Sequence, residues 1–232
     1  MGKLDIYTIR TTGKKIHRRE VMIKLSAVVA FIAILLLLVF YGIFTYAENF
    51  GNFTVRIVEN SDKYILSLCE KGEFNKPTTL LNAEVLDEMD NISERSIPED
   101  VDLYDGPHNG ENYIAYTFYV KNVGSKTINY SCAIEILSVT KNTDEAIRVR
   151  VYKNGVAVTY AKLQNGQLTP EPGTTPFYSN TMVMNQVNEE FESGDVDKYT
   201  IVIWLEGNDP ECVDAIKGGQ VRMVMNLDVI HE

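Results

Sequence analysis

Two hydrophobic patterns divide the chain. From Leu25 to Ala47 no side chain carries a charge, and the centre reads Ala33-Ile34-Leu35-Leu36-Leu37-Leu38-Val39-Phe40. In a helix about 20 such residues, rising ~1.5 Å each, cross the hydrocarbon region of a bilayer. A soluble helix of this length would carry a polar face, and this segment has none. Past residue 50 the period becomes two, as expected of strands with one buried face. Phe53, Val55 and Ile57 alternate with Thr54 and Arg56. Ile114, Tyr116, Phe118 and Val120 share one face of Tyr113 to Lys121, and Ile128, Tyr130, Cys132, Ile134 and Ile136 repeat the pattern after Gly124-Ser125. Ile147, Val149 and Val151 face away from Arg148 and Arg150, and Asn154-Gly155 then signals a hairpin. Residues 199–206 are nearly apolar on both faces, and 220–230 place Val221, Met223, Met225, Leu227 and Val229 on one side.

These segments predict an all-β domain, a jelly-roll-like two-sheet antiparallel sandwich preceded by one N-terminal transmembrane helix. Two stretches break the alternation. Residues 70–111 are acidic and loop-like, with a short helix expected near Leu80 to Met89. Residues 163–195 are rich in proline and glycine, with one strand expected at Thr181 to Val187. In 206–219, Asp209 is placed to cap a helix starting at Pro210, and Gly218 to end it.

Charge gives the anchor a direction. Residues 1–24 hold seven basic and two acidic side chains, a net of +5, which leaves 15 basic and 30 acidic residues elsewhere, a net of −15. Positive charge on the N-terminal side retains that end in the cytoplasm, and Tyr41 and Tyr46 suit the outer interface. The expected organisation is a basic cytoplasmic tail (1–24), a membrane anchor (25–47) and an extracellular β-sandwich (48–232) at the plasma membrane. The alternative is a signal peptide cut after Ala47, although the apolar run is longer than the usual 7 to 15 residues. An acidic outer domain repels nucleic acid, so none is expected as a partner.

The block Asp197-Lys198-Tyr199-Thr200-Ile201-Val202-Ile203-Trp204-Leu205-Glu206, with the capped turn and final strand behind it, resembles the TasA/camelysin group of Gram-positive surface proteins. Tyr116-Thr117-Phe118-Tyr119-Val120-Lys121-Asn122-Val123-Gly124-Ser125 resembles a second shared feature, and the likeness spans roughly residues 112–230. It implies an exported jelly-roll sandwich and, in the TasA branch, biofilm matrix fibres built by strand exchange. The long basic tail and retained anchor depart from that pattern. The functional expectation is a membrane-anchored structural or adhesive surface protein, a cell-envelope or matrix component whose partners are other surface proteins or itself.

Candidate chemistry is sparse. The camelysin branch implies a peptidase, but zinc catalysis commonly draws on His-Glu-x-x-His, and the chain holds only His17, His108 and His231, without that motif. No Gly-x-Ser-x-Gly elbow is present. No catalytic residue and no cofactor are therefore assigned, and a non-enzyme is expected. Calcium takes 6 to 8 oxygen ligands, which acidic loops supply. The candidates are Glu206, Asp209, Glu211 and Asp214, and a second cluster of Asp87, Glu88, Asp90, Glu99, Asp100, Asp102 and Asp105. Neither follows the EF-hand order. Sugar binding would draw on Tyr113, Tyr119, Tyr152, Tyr160 and Trp204. Cys132 falls in a buried register, while Cys69 and Cys212 could pair in an oxidising exterior.

Overall fold

A computed structural model describes residues 18, 21–39, 41, 53–58, 65–84, 86, 88–164, 167 and 170–230. The chain divides into two compact units, Met1–Asn49 and Phe50–Glu232. Within the first, Val21–Val39 forms a helix long and apolar enough to cross a membrane or to act as a signal sequence. Its one hydroxyl, on Ser26, donates to the carbonyl of Ile23 at 2.9 Å, so that polar group is met inside the helix. Ala47, where a cut would fall, lies outside the described residues.

The second unit is a jelly-roll-like sandwich of two sheets, in which the chain crosses repeatedly from one sheet to the other and the three strands within residues 147–176 follow one another within one sheet. One sheet has the order β10 (Met182–Phe191), β6 (Ile128–Val139), β12 (Val221–Ile230), β1 (Phe53–Ile57) and β3 (Leu80–Asn82). The other runs β2 (Leu66–Cys69), β5 (Tyr113–Asn122), β11 (Val196–Leu205), β7 (Ile147–Lys153), β8 (Val156–Ala161) and β9 (Thr175–Pro176), with β4 (Gly106–Pro107) also on β5. The sheets are mixed rather than purely antiparallel. The first strand, β1, lies parallel to the last, β12, with Val55 opposite Met225, and β8 runs parallel to β9.

Between the sheets the predicted faces meet. Phe53, Tyr116, Phe118, Tyr130, Ile134, Val149, Ile201, Met225 and Leu227 belong to one buried cluster. The Asn154-Gly155 hairpin forms as expected, both residues taking positive φ (51° and 82°), the twist that suits a two-residue connection between antiparallel strands.

The sheet that holds β5, β11 and β7 is covered on its outer face as well. Residues 92–101 lie across it, and Ile97 and Val101 pack on Ala115, Val202 and Trp204 in a second cluster. This explains why β11 is apolar on both faces. The covering segment contains two short 3-10 turns, Glu94–Ser96 and Val101–Leu103, and Leu80–Asn82 is strand where a helix was expected. β3 pairs with β1 there, so the exposed edge of β1 decides the conformation. The strand expected at Thr181 to Val187 is the longer β10.

No helix starts at Pro210. A single 3-10 turn, Asp214–Ile216, stands there instead, followed by Gly218 at φ +69°. A Cβ on the adjacent Gly219 would lie 1.7 Å from Thr143 Oγ1 and 2.8 Å from the Ile216 carbonyl oxygen, so close packing requires glycine at that position.

Candidate functional site

Asp209 is held in a turn after β11, where its Oδ1 accepts the Glu211 amide hydrogen at 2.8 Å. Its Oδ2 lies 2.6 Å from an Arg148 guanidinium nitrogen, and the two side chains are 1% and 5% exposed. Arg148 is on the covered face of β7, which accounts for a buried arginine where alternation alone predicts an exposed one. Glu211 points back toward Asp209, and Glu171 arrives from the connection after β8. The turn Glu171–Thr174 presents Glu171: Thr174 donates its amide and hydroxyl to the Glu171 carbonyl, and Gly173 takes φ +77°. Carboxylate oxygens of Glu171, Asp209 and Glu211 all lie within 4.8 Å of one another. Among the described residues this is the group of acidic, histidine or cysteine side chains arranged to hold a metal ion.

The three carboxylates and Arg148 sum to two negative charges. Gln164 Nε2 donates to Glu171 Oε1 at 2.6 Å and relieves part of that repulsion. Glu211 Oε2 is buried without a hydrogen-bond partner. Hydrogen bonding to Asp209, with burial and the Asp209 charge behind it, raises the Glu211 pKa above the ordinary glutamate value. A proton or a cation between Asp209 and Glu211 satisfies the same electrostatics. Folding raises this carboxyl's proton affinity. Its contribution to stability is therefore full below the ordinary glutamate value and is lost as pH rises through the raised one.

Two of the four expected ligands are elsewhere. Glu206 Oε2 accepts from Trp204 Nε1 at 2.9 Å and from the Glu94 amide at 3.1 Å, while its Oε1 accepts from the Asn208 side chain at 3.0 Å. Its oxygens secure the covering segment to the sheet, which takes it out of the ligand set. Asp214 is at the surface, 2.7 Å from Lys217, whose hydrogen bond and charge lower its pKa. Glu171 was not legible as a ligand, because it lies 38 residues before Asp209 in a proline-rich connection and only the fold joins them. In the other acidic stretch Asp87 is outside the described residues. Asp100 accepts from Tyr104 at 3.0 Å and Asp105 from Tyr119 at 2.6 Å.

Trp204 is 1% exposed and Tyr160 is 5% exposed, so these rings of the sugar-binding set are core. Both ring nitrogens of His108 lie 2.8 Å from backbone carbonyl oxygens, those of Gly106 and Val101, and the ring ties the covering segment down. His17 and His231 are outside the described residues. All three cysteines are free: Cys69 and Cys132 are buried, and the Cys69–Cys212 bridge is not formed. Burial pushes the Cys132 thiol up to about 12, leaving it inert.

No family model matches the chain, and no curated protein matches it. Among solved structures, a β-glucosidase from Kluyveromyces marxianus in complex with glucose aligns with TM-score 0.26 at 10% identity, over 72% of this chain and 16% of that one. A selenomethionine-labelled form of the β-glucosidase from that organism gives TM-score 0.21 at 12% identity, over 49% of this chain and 11% of that one. The chain thus spans under a fifth of the length of either, and superpositions at that level carry no argument about fold or function.

Proposed function

We propose that this protein is a membrane-anchored, extracellular structural or adhesive protein of a Gram-positive cell surface, a cell-envelope or biofilm-matrix component of TasA/camelysin type. The single observation that carries the reading is β10. It is a ten-residue strand at the end of its sheet, paired with β6 on one side and with no strand on the other among the described residues. An open edge of that length offers backbone donors and acceptors to a strand from a neighbour. The apolar helix ahead of the domain and the basic segment before it support display outside the membrane with the N-terminus in the cytoplasm. The test is expression of the full chain in a Gram-positive host, cell fractionation and surface cross-linking. Cross-linked multimers are expected in the membrane or matrix fraction. Val187→Lys, which puts a charge on the edge strand, is expected to lower their yield about tenfold. A monomer unaffected by that change would overturn the reading.

A second reading, a calcium-binding module, is favoured by the orphaned Glu211 Oε2 beside Asp209 and Glu171. Calcium at about 100-fold above its Kd is expected to raise Tm by about 5–10 °C. Glu211→Gln should abolish the rise. Binding should also strengthen as pH climbs through the raised Glu211 value, since the cation displaces the proton held there. Melting curves with calcium and with chelator at two pH values check all three outcomes.

A further inference from the structure

One half-buried polar cluster supplies no residue to either reading. It lies between the sheets, at the base of the β7–β8 hairpin. Lys153, the last residue of β7, donates from Nζ to Oδ1 of Asn188 on β10, in the opposite sheet. The same nitrogen is 3.1 Å from Oδ2 of Asp197 on β11. Asn154 Nδ2 holds the other Asp197 oxygen at 2.7 Å, and Asn188 Nδ2 donates to Tyr199 Oη at 3.3 Å. Tyr130 donates its hydroxyl to Asp197 Oδ2 and lies 2.9 Å from the Tyr199 hydroxyl. Lys153 Nζ is 6.0 Å from the ring centres of both tyrosines, and Phe191 packs on Tyr130 at 5.0 Å.

We infer that Lys153 and Asn188 are joined by an intramolecular isopeptide bond, formed by the protein itself with Asp197 as the proton-transferring residue. An amine in contact with both a carboxamide and a carboxylate, beside two tyrosine rings, supplies the reactants and the acid–base group for such a bond. The contacts hold the amine against the carboxamide, which converts a slow bimolecular aminolysis into an intramolecular one. Burial raises the pKa of both phenols, so Tyr130 and Tyr199 stay protonated and Tyr130 serves as donor to Asp197.

The step balances without a co-reactant. Asp197 takes one proton from the Lys153 ammonium, and the freed lone pair attacks Cγ of Asn188, forming the C–N bond as the carbonyl pair moves onto Oδ1. One of the two protons remaining on Nζ passes to Nδ2 of Asn188. The carbonyl re-forms, the Cγ–Nδ2 bond breaks and ammonia leaves. It then accepts the proton held by Asp197 and departs as ammonium, so the total charge is unchanged. The product ties edge strand β10 to the facing sheet across 35 residues of chain, a constraint on the unfolded state like that of a disulfide without dependence on redox conditions. Lys153 and Asp197 side chains are 32% and 10% exposed, which leaves a path for ammonia to escape.

Mass spectrometry of the full chain tests this. Trypsin cleaves after Arg150, Lys162 and Lys198, so residues 151–162 and 163–198 should emerge as one branched species, lighter than the sum of its two peptides by one ammonia, about 17 Da. Lys153→Arg and Asn188→Ala should each yield separate linear peptides, with circular dichroism showing that the sandwich is retained. Asp197→Asn should leave most of the protein unlinked. Separate peptides from the unaltered chain overturn the inference. A loss of about 18 Da that survives Asn188→Ala, the mark of a Lys153–Asp197 amide, overturns the assignment of Asn188. Complete linkage in Asp197→Asn overturns the role given to Asp197.

Discussion

Asp209→Ala is expected to cost the β-sandwich domain about 3–5 kcal/mol, because it strips a buried arginine of its counter-ion. Arg148 and Asp209 are both almost fully enclosed, 2.6 Å apart, beneath the turn that follows β11. With the carboxylate gone, the guanidinium retains one weak hydrogen bond among the described residues, 3.3 Å to the Ile147 carbonyl, and the Glu211 amide loses its acceptor. Tm should fall by about 10 °C or more for a domain of this size. The fluorescence of Trp204, the single tryptophan of the chain, follows the transition. Replacing both partners together, Arg148→Met with Asp209→Leu, should restore most of the loss, since no charge then remains buried. A loss under about 1 kcal/mol for Asp209→Ala would mean that water reaches the pair and that the covering turn is open in solution.

Trp204→Ala is the second large effect, again about 3–5 kcal/mol. Its consequences extend beyond the cavity it leaves. The indole forms the floor on which Ile97 and Val101 rest, its Nε1 donates to Glu206, and the Arg150 guanidinium lies 5.2 Å from its ring centre. Glu206 in turn holds the Glu94 amide, so the ring and the carboxylate together fasten residues 92–101 to the sheet. Loss of the ring should release that segment. Tryptic cleavage after the exposed Arg95 should then accelerate by roughly tenfold or more, ahead of global unfolding. Trp204→Phe, which retains much of the apolar area and removes the donor, should fall between wild type and alanine. Unchanged cleavage after Arg95 in Trp204→Ala would show that His108 and Ile92 suffice to hold the segment.

The residue alternation by itself determined the sandwich. Ile114, Tyr116, Phe118 and Val120 on β5, and Met223, Met225, Leu227 and Val229 on β12, are buried as their period of two requires, because side-chain direction in a strand follows from local backbone geometry. The Asn154-Gly155 turn and the apolar helix before residue 47 were legible for the same reason: each depends on a contiguous stretch of chain. The tertiary structure alone decided what depends on distant partners. The parallel pairing of β1 with β12 joins the two ends of the domain, and the conversion of Leu80–Asn82 to strand follows from a neighbour more than 20 residues away. Arg148 reads as a solvated strand residue until Asp209, in the turn after β11, is folded onto it. The acidic candidates separate on the same principle. Glu206 and Asp214 flank Asp209 and Glu211 in sequence but point to a tryptophan and a lysine, whereas Glu171 reaches the site through folding. Lys153, Asn188 and Asp197 are ordinary surface residue types in their own segments. Two sheets packed face to face bring them together, because that packing fixes in space what chain order leaves apart.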